Sequence, residues 1–216
     1  MQPTQPNLFY INQELKMGRE SFAVKDEQQS LVCVAKQKIL AIREHIDVYR
    51  DEAATELVFS IQQETAMAVS KTYDVVAGNG TKMGGFKLEA MQSMMNEHWD
   101  ILDSNGNSIG AIDQDTTTAM EGKVGEVAGG ILGGLLGGVS GAMSGAGGMA
   151  GAGTFIPQKF IATINSQPVC TFSEQMNIGI LFKMTIDFSA DSSALFDRTL
   201  GIAASILLAS KHMTTN

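Results

Sequence analysis

The chain is poor in the residues that staple or stiffen small proteins, with 2 cysteines, 4 prolines and a single tryptophan among 216 residues. Cys33 and Cys170 are too few for a disulfide framework. At this length a chain can bury roughly 70% of the surface its unfolded form exposes, so it needs no staples. Positive charge is also short. Fifteen Lys and Arg face 23 Asp and Glu, for a net charge of -8. That balance argues against nucleic acid as a partner, because phosphate backbones are gripped by clustered cations. The opening Met1 to Pro6 has no basic stretch followed by an apolar one, so no secretory leader is expected and the expected location is the cytoplasm or its membrane face.

Signals for chemistry are equally sparse. His45, His98 and His212 lack metal-ligand spacing, and neither cysteine pairs with a histidine in a zinc pattern. Ser140 and Ser144 miss the nucleophile elbow, because Ala142 and Ala146 stand where its last glycine belongs. Asp103 to Asn107 begins like a calcium loop, but Ser108 replaces the required glycine and Gln114 the closing glutamate. The expectation is a non-enzymatic protein with no metal and no cofactor. Cys33 and Cys170, inside apolar runs, read as buried inert thiols.

Glycine, by contrast, is abundant and unevenly placed. Twelve of the 23 glycines lie between Ala128 and Gly153, and no charged residue occurs between Glu126 and Lys159. This composition marks residues 126–157 as an insertion that divides a domain made of residues 1–125 and 158–216. Gly129, Gly133, Gly137, Gly141 and Gly145 recur every fourth residue with Ile131, Leu132, Leu135, Leu136 and Val139 between them. On a helix that spacing makes a smooth strip for close backbone packing in a membrane or against a second copy. The competing expectation is a flexible Gly/Ala loop.

The leading part holds an internal repeat. Residues 73–86 and 99–112 align without a gap; each copy carries an aromatic-Asp start, a central Asn-Gly and a later glycine at Gly84 or Gly110. Asn-Gly between apolar runs predicts a β-hairpin with positive φ at both turn residues. Weaker hairpins are expected over 21–34, 46–61 and 160–172, with single strands near 8–11 and 180–188. About twelve strands at this spacing predict an antiparallel barrel, since closure removes exposed edges. Asp74 and Asp100 should point outward, alternating with Tyr73, Val75, Trp99 and Ile101. Residues 194–209 then read as one helix, apolar nearly all round, N-capped by Ser192 or Ser193. It is too short to cross a bilayer and about as long as a strand, so it should fill the barrel with Leu200, Ala203, Ile206 and Leu207.

The paired hairpins and the apolar terminal helix opening with Asp197-Arg198 resemble the LURF-one-related and phospholipid scramblase branch of the tubby C-terminal-like superfamily. The resemblance implies a twelve-stranded barrel around its C-terminal helix. It also implies a scramblase-like, lipid- or membrane-associated protein acting without a covalent step. Where animal scramblases carry an acidic calcium segment, this chain has Asp187-Phe188-Ser189-Ala190-Asp191, fewer clustered carboxylates than the six to eight oxygens calcium takes. The nearest counterpart to a tubby-type phosphoinositide pocket is Lys36, Lys38 and Arg43, read either as a lipid head-group contact or as a solvated strand edge. The expected partners are membrane lipid or further copies of the chain as a homo-oligomer. The alternative is a soluble tubby-like binding or scaffold barrel whose insertion is a protein-interaction loop.

Overall fold

A computed structural model describes residues 6–16, 19–37, 44–64, 70–88, 97–115, 157–175 and 182–212. Twelve strands run β1 (Leu8–Lys16), β2 (Arg19–Asp26), β3 (Leu31–Gln37), β4 (His45–Tyr49), β5 (Leu57–Gln63), β6 (Lys71–Ala77), β7 (Lys82–Leu88), β8 (His98–Leu102), β9 (Ser108–Gln114), β10 (Lys159–Ile164), β11 (Gln167–Glu174) and β12 (Lys183–Asp187). Each pairs antiparallel with its sequence neighbours, and β12 pairs with β1 to close the barrel. The expected barrel is therefore present. The insertion at 126–157, with Gly129, Gly133, Gly137, Gly141 and Gly145, lies outside the described residues.

Alternation along the strands builds the interior. Tyr73 and Val75 of β6, Trp99 and Ile101 of β8, and Phe160, Ala162 and Ile164 of β10 are buried, and Asp74 and Asp100 fall on the alternate, outer face. One helix, α1 (Arg198–His212), follows β12. Every residue from Leu200 to Ser210 is buried, and the apolar side chains among them join the core formed by the strands. Leu200 packs at Gly84 of β7, Gly201 at Phe188 beyond β12, and Lys211 at Tyr73 and Trp99. A helix without an exposed face, touched by strands on opposite walls, lies inside the barrel. Leu200, Ala203, Ile206 and Leu207 fill it as expected, with Ala203 and Ile206 fully buried.

The helix begins later than the sequence suggests. Ala194 to Asp197 are not helical, and the cap is neither Ser192 nor Ser193: Asp197 Oδ1 accepts the N–H groups of Thr199 (2.8 Å) and Leu200 (3.2 Å). The reason is tertiary. Asp191 accepts the backbone N–H groups of Leu195 and Phe196, and Ala194 takes a φ of 51°, so the chain turns once more before the helix starts.

The hairpin turns also differ from the simplest expectation. Around Asn79-Gly80 and Asn105-Gly106 only the glycines have positive φ, each 86°. Gly80 N–H bonds the Ala77 carbonyl and Ala77 N–H bonds that of Thr81; Gly106 and Asp103 repeat the pattern with Asn107. These are type I turns closed by a glycine bulge, the longer hairpin connection that also suits right-handed twist. The asparagine is drawn off positive φ by local side-chain bonds, Asn79 accepting from Thr81 N–H and Asp103 from Asn105 and Asn107 N–H. The two-residue turn with both φ positive belongs instead to Asn165-Ser166.

The later glycine of the repeat has a steric cause. A Cβ on Gly84 would lie 2.5 Å from the Leu102 carbonyl of β8, and one on Gly110 would overlap the Thr163 carbonyl of β10. At each place the next strand's backbone occupies the space a side chain needs. Gly110→Ala should therefore destabilise the barrel by about 1–3 kcal/mol, lowering Tm by roughly 2–4 °C for each kcal/mol. Thermal melts followed by circular dichroism check this, with Ala111→Gly, outside that clash, as a comparison.

Candidate functional site

Strand direction sorts the connections onto two ends. At the turn end lie the turns 26–30, 50–56, 78–81, 103–107 and 165–166 together with the segment 188–197 into α1. At the opposite, connection end, β1–β2, β3–β4, β5–β6, β7–β8, β9–β10 and β11–β12 are joined, and every one of these joins includes residues outside the described set. The end of β9 and the start of β10, between which the Gly-rich insertion falls in sequence, lie at this connection end; Lys38 and Arg43 lie outside the described residues. The stretches 26–30, 50–56, 103–107 and 188–197 contain eight carboxylates and one base, Arg50, so the turn end is acidic.

Lys36 is the described member of the basic triad. It stands on β3 opposite Asp47 of β4, donates from Nζ to the Glu52 carbonyl at 2.7 Å and lies 5.7 Å from the Tyr49 ring centroid. Its ammonium is tied to the loop of the turn end.

At the turn end a buried clasp fixes the start of α1. Arg198 Nη1 meets Asp191 Oδ2 at 2.7 Å and donates to the Phe196 carbonyl at 3.0 Å, while Nη2 reaches Asn7 at 3.3 Å. The guanidinium stacks on Phe188, 4.3 Å from its centroid. Burial works against the charge of Asp191, but Arg198 and the Phe196 and Leu195 N–H groups outweigh it and hold the carboxyl below its ordinary range. A cation in the first turn opposes the helix dipole; Asp191 and the Asp197 cap compensate.

At the connection end the last turn of α1 meets two aromatic rings. Lys211 Nζ lies 4.6 Å from the Trp99 centroid and 5.8 Å from that of Tyr73, and the rings stand 5.9 Å apart at 46°. Trp99 Nε1–H donates to Glu97 at 2.9 Å, and the Tyr73 hydroxyl donates to Glu44 at 2.6 Å. Lys71 completes the cluster, 3.1 Å from the other Glu44 oxygen. Burial disfavours ionised Glu44, yet the Tyr73 and Lys71 bonds prevail and its carboxyl titrates below the usual range. Burial and then Glu44 push the Tyr73 phenol far up, so it remains a donor. Burial and the charge of Lys71 lower Lys211, against the opposing pull of Glu97 and Glu44.

The outer wall offers a shallow groove of about 320 Å³ between Glu64, Thr72, Lys82, Lys87, Asp100 and Ser108. Its charges are mixed, and Lys82 pairs with Asp74 at 2.7 Å. Ser108 Oγ donates to Asp100 at 3.3 Å, while His98 Nδ1 faces Asp113 at 2.5 Å, so the ring is not a base for that hydroxyl. Burial raises the Cys33 thiol to about 12 against the charge of Arg50, and it raises Cys170 as well, leaving both protonated. Among the described residues no group of three His, Cys, Asp or Glu side chains is placed to hold a metal ion, and no helix is long and apolar enough to cross a membrane.

Sequence reasoning did not find the aromatic cluster. Its residues come from β6, β8, α1 and the residues just before β4 and β8, and they meet through the pairing of β6 and β8 with β7 and the seating of α1 against them. One signal was present: Tyr73 and Trp99 occupy the same position in the two copies of the repeat. No protein-family model, curated protein or solved structure matches the chain.

Proposed function

We propose that the chain is a scramblase-like, lipid- or membrane-associated protein without a covalent catalytic step, and that residues 126–157 make the association. The observation that carries this reading is the commitment of α1. With that helix buried along its length, the uncharged 127–158 stretch is the long apolar segment left over for other duties. Its fourfold glycine spacing suits close helix packing within a bilayer or between copies. Polarity supports the same direction: the acidic turn end would be repelled by anionic lipid, and the insertion joins strands at the opposite end.

The test compares the full chain with a variant lacking residues 128–153. The full chain should float with vesicles of phosphatidylcholine and phosphatidylserine, and the deletion should stay behind. If neither floats and the full chain elutes as a monomer without detergent, the reading fails and the soluble scaffold barrel replaces it. That rival draws its support from the filled interior, which already behaves as a finished core.

A further inference from the structure

We infer that Asn105 is a site of spontaneous modification, where the chain converts its own side-chain amide to aspartate and isoaspartate, and that its counterpart Asn79 is protected. Asn79-Gly80 and Asn105-Gly106 are the two Asn-Gly pairs of the sequence. Both lie exposed at the turn end in type I turns closed by a glycine bulge, and a Cβ on either glycine would meet nothing within 4 Å. Each glycine nitrogen is therefore unhindered by a side chain of its own, and solvent reaches both turns. In the reaction Gly106 N bonds to Asn105 Cγ, the bond from Cγ to Nδ2 breaks, and the proton lost by Gly106 N leaves with Nδ2 as ammonia. Water then opens the five-membered imide at either carbonyl. One product is an aspartate; the other is an isoaspartate, whose main chain runs through the former side chain. Nothing is oxidised or reduced, and the co-reactant is water.

The two turns hold their glycine nitrogens alike: Gly80 N–H bonds the Ala77 carbonyl at 2.8 Å and Gly106 N–H bonds that of Asp103 at 3.0 Å. They differ in the asparagine. Where the first copy of the repeat has Ala77, the second has Asp103. Asp103 Oδ1 accepts the Asn105 and Asn107 N–H groups, each at 2.8 Å, and so bridges its turn. With no carboxylate at Ala77, Asn79 bridges its own turn, Oδ1 accepting the Thr81 N–H at 3.0 Å. That bond pins the Asn79 carboxamide. Among the described residues the Asn105 carboxamide makes no hydrogen bond, so it rotates freely toward Gly106 N. Conversion places a carboxylate two residues from Asp103 on an already acidic end, and isoaspartate adds a main-chain atom to the turn that Asp103 and Asn107 close. The β8–β9 hairpin is then held less tightly.

The two asparagines fall in different tryptic peptides, 72–82 and 88–123, so each is followed separately by tandem mass spectrometry. Folded full-length wild type, held at mildly alkaline pH and sampled over days, should convert Asn105 about fivefold faster than Asn79, the effect of releasing one ordinary hydrogen bond. Both products should appear. In urea, where the turns are gone, the two rates should come together. Ala77→Asp gives the first turn the bridge of the second and should speed Asn79 toward the rate of Asn105. A tighter turn alone would slow Asn79, so the sign of this change is diagnostic. Equal rates in the folded wild type, or a faster Asn79, overturn the inference, as does an Asn79 that is not accelerated in folded Ala77→Asp. Should that variant not fold, the ratio of the two wild-type rates, folded against urea, decides alone.

Discussion

Ile206→Asp should leave no folded protein at neutral pH. Ile206 is fully buried on the inner helix, surrounded by the strand core. The substitution loses about 1.5–3 kcal/mol of apolar burial and adds several kcal/mol for an unpaired charge. The sum rivals the whole stability of a domain, about 5–15 kcal/mol. The expected readout is loss of the cooperative thermal transition and of near-UV circular dichroism, whereas Ile206→Leu should cost less than about 1.5 kcal/mol. Acid should restore part of the loss. A carboxyl in that place has its pKa raised above the unfolded value of about 3.9, so its penalty is present above that value and shrinks as pH falls. A melt within a few degrees of wild type would mean that this helix face is not interior.

Asp191→Ala should cost about 3–5 kcal/mol, the usual result of removing one partner of a buried pair, and lower Tm by roughly 6–20 °C. Its side chain is 1% exposed and that of Arg198 13%, so the guanidinium would be left among Phe188 and Phe196 without its counter-charge. Two backbone N–H groups lose their acceptor as well. Asp191→Asn, which still offers an oxygen, should fall between. The pH dependence has a definite sign. The carboxyl titrates below its ordinary value in the fold, so its stabilisation is complete above the unfolded pKa of about 3.9 and disappears as pH drops through the folded value. Denaturant melts from pH 7 to pH 2 should show that slope weakened in both variants. Equal slopes in all three proteins would remove Asp191 from acid stability.

Much of the wall was legible because its signals are local. Asn79-Gly80 and Asn105-Gly106 punctuate apolar runs, and the period-two burial of Tyr73, Val75, Trp99 and Ile101 follows from strand geometry alone. The uniform greasiness of Leu200 to Ala209 likewise predicts burial on all sides. The start of α1 was not legible, because Ser192 and Ser193 are good local caps that lose to Asp191 bonding across to Arg198. The partner of Lys36 was not legible either: adjacency in sequence says nothing about its being tied to the carbonyl of Glu52 in the next loop. The meeting of Tyr73 and Trp99 with Lys211 depends on where the inner helix ends, and beyond the shared place of the two rings in the repeat nothing in the local sequence announces it.

The contents of the cylinder are encoded after its wall. Strands β1 to β12 emerge from the ribosome before α1 does, and β1 must wait for β12, some 170 residues later, to cover its open edge. Until α1 is made the strands lack the side chains that fill their core, and exposed apolar surface of that kind promotes aggregation. A premature stop between Asp187 and Arg198 would yield a polypeptide long enough to make every strand but without its filling, so it should meet proteolysis rather than serve as a smaller working protein.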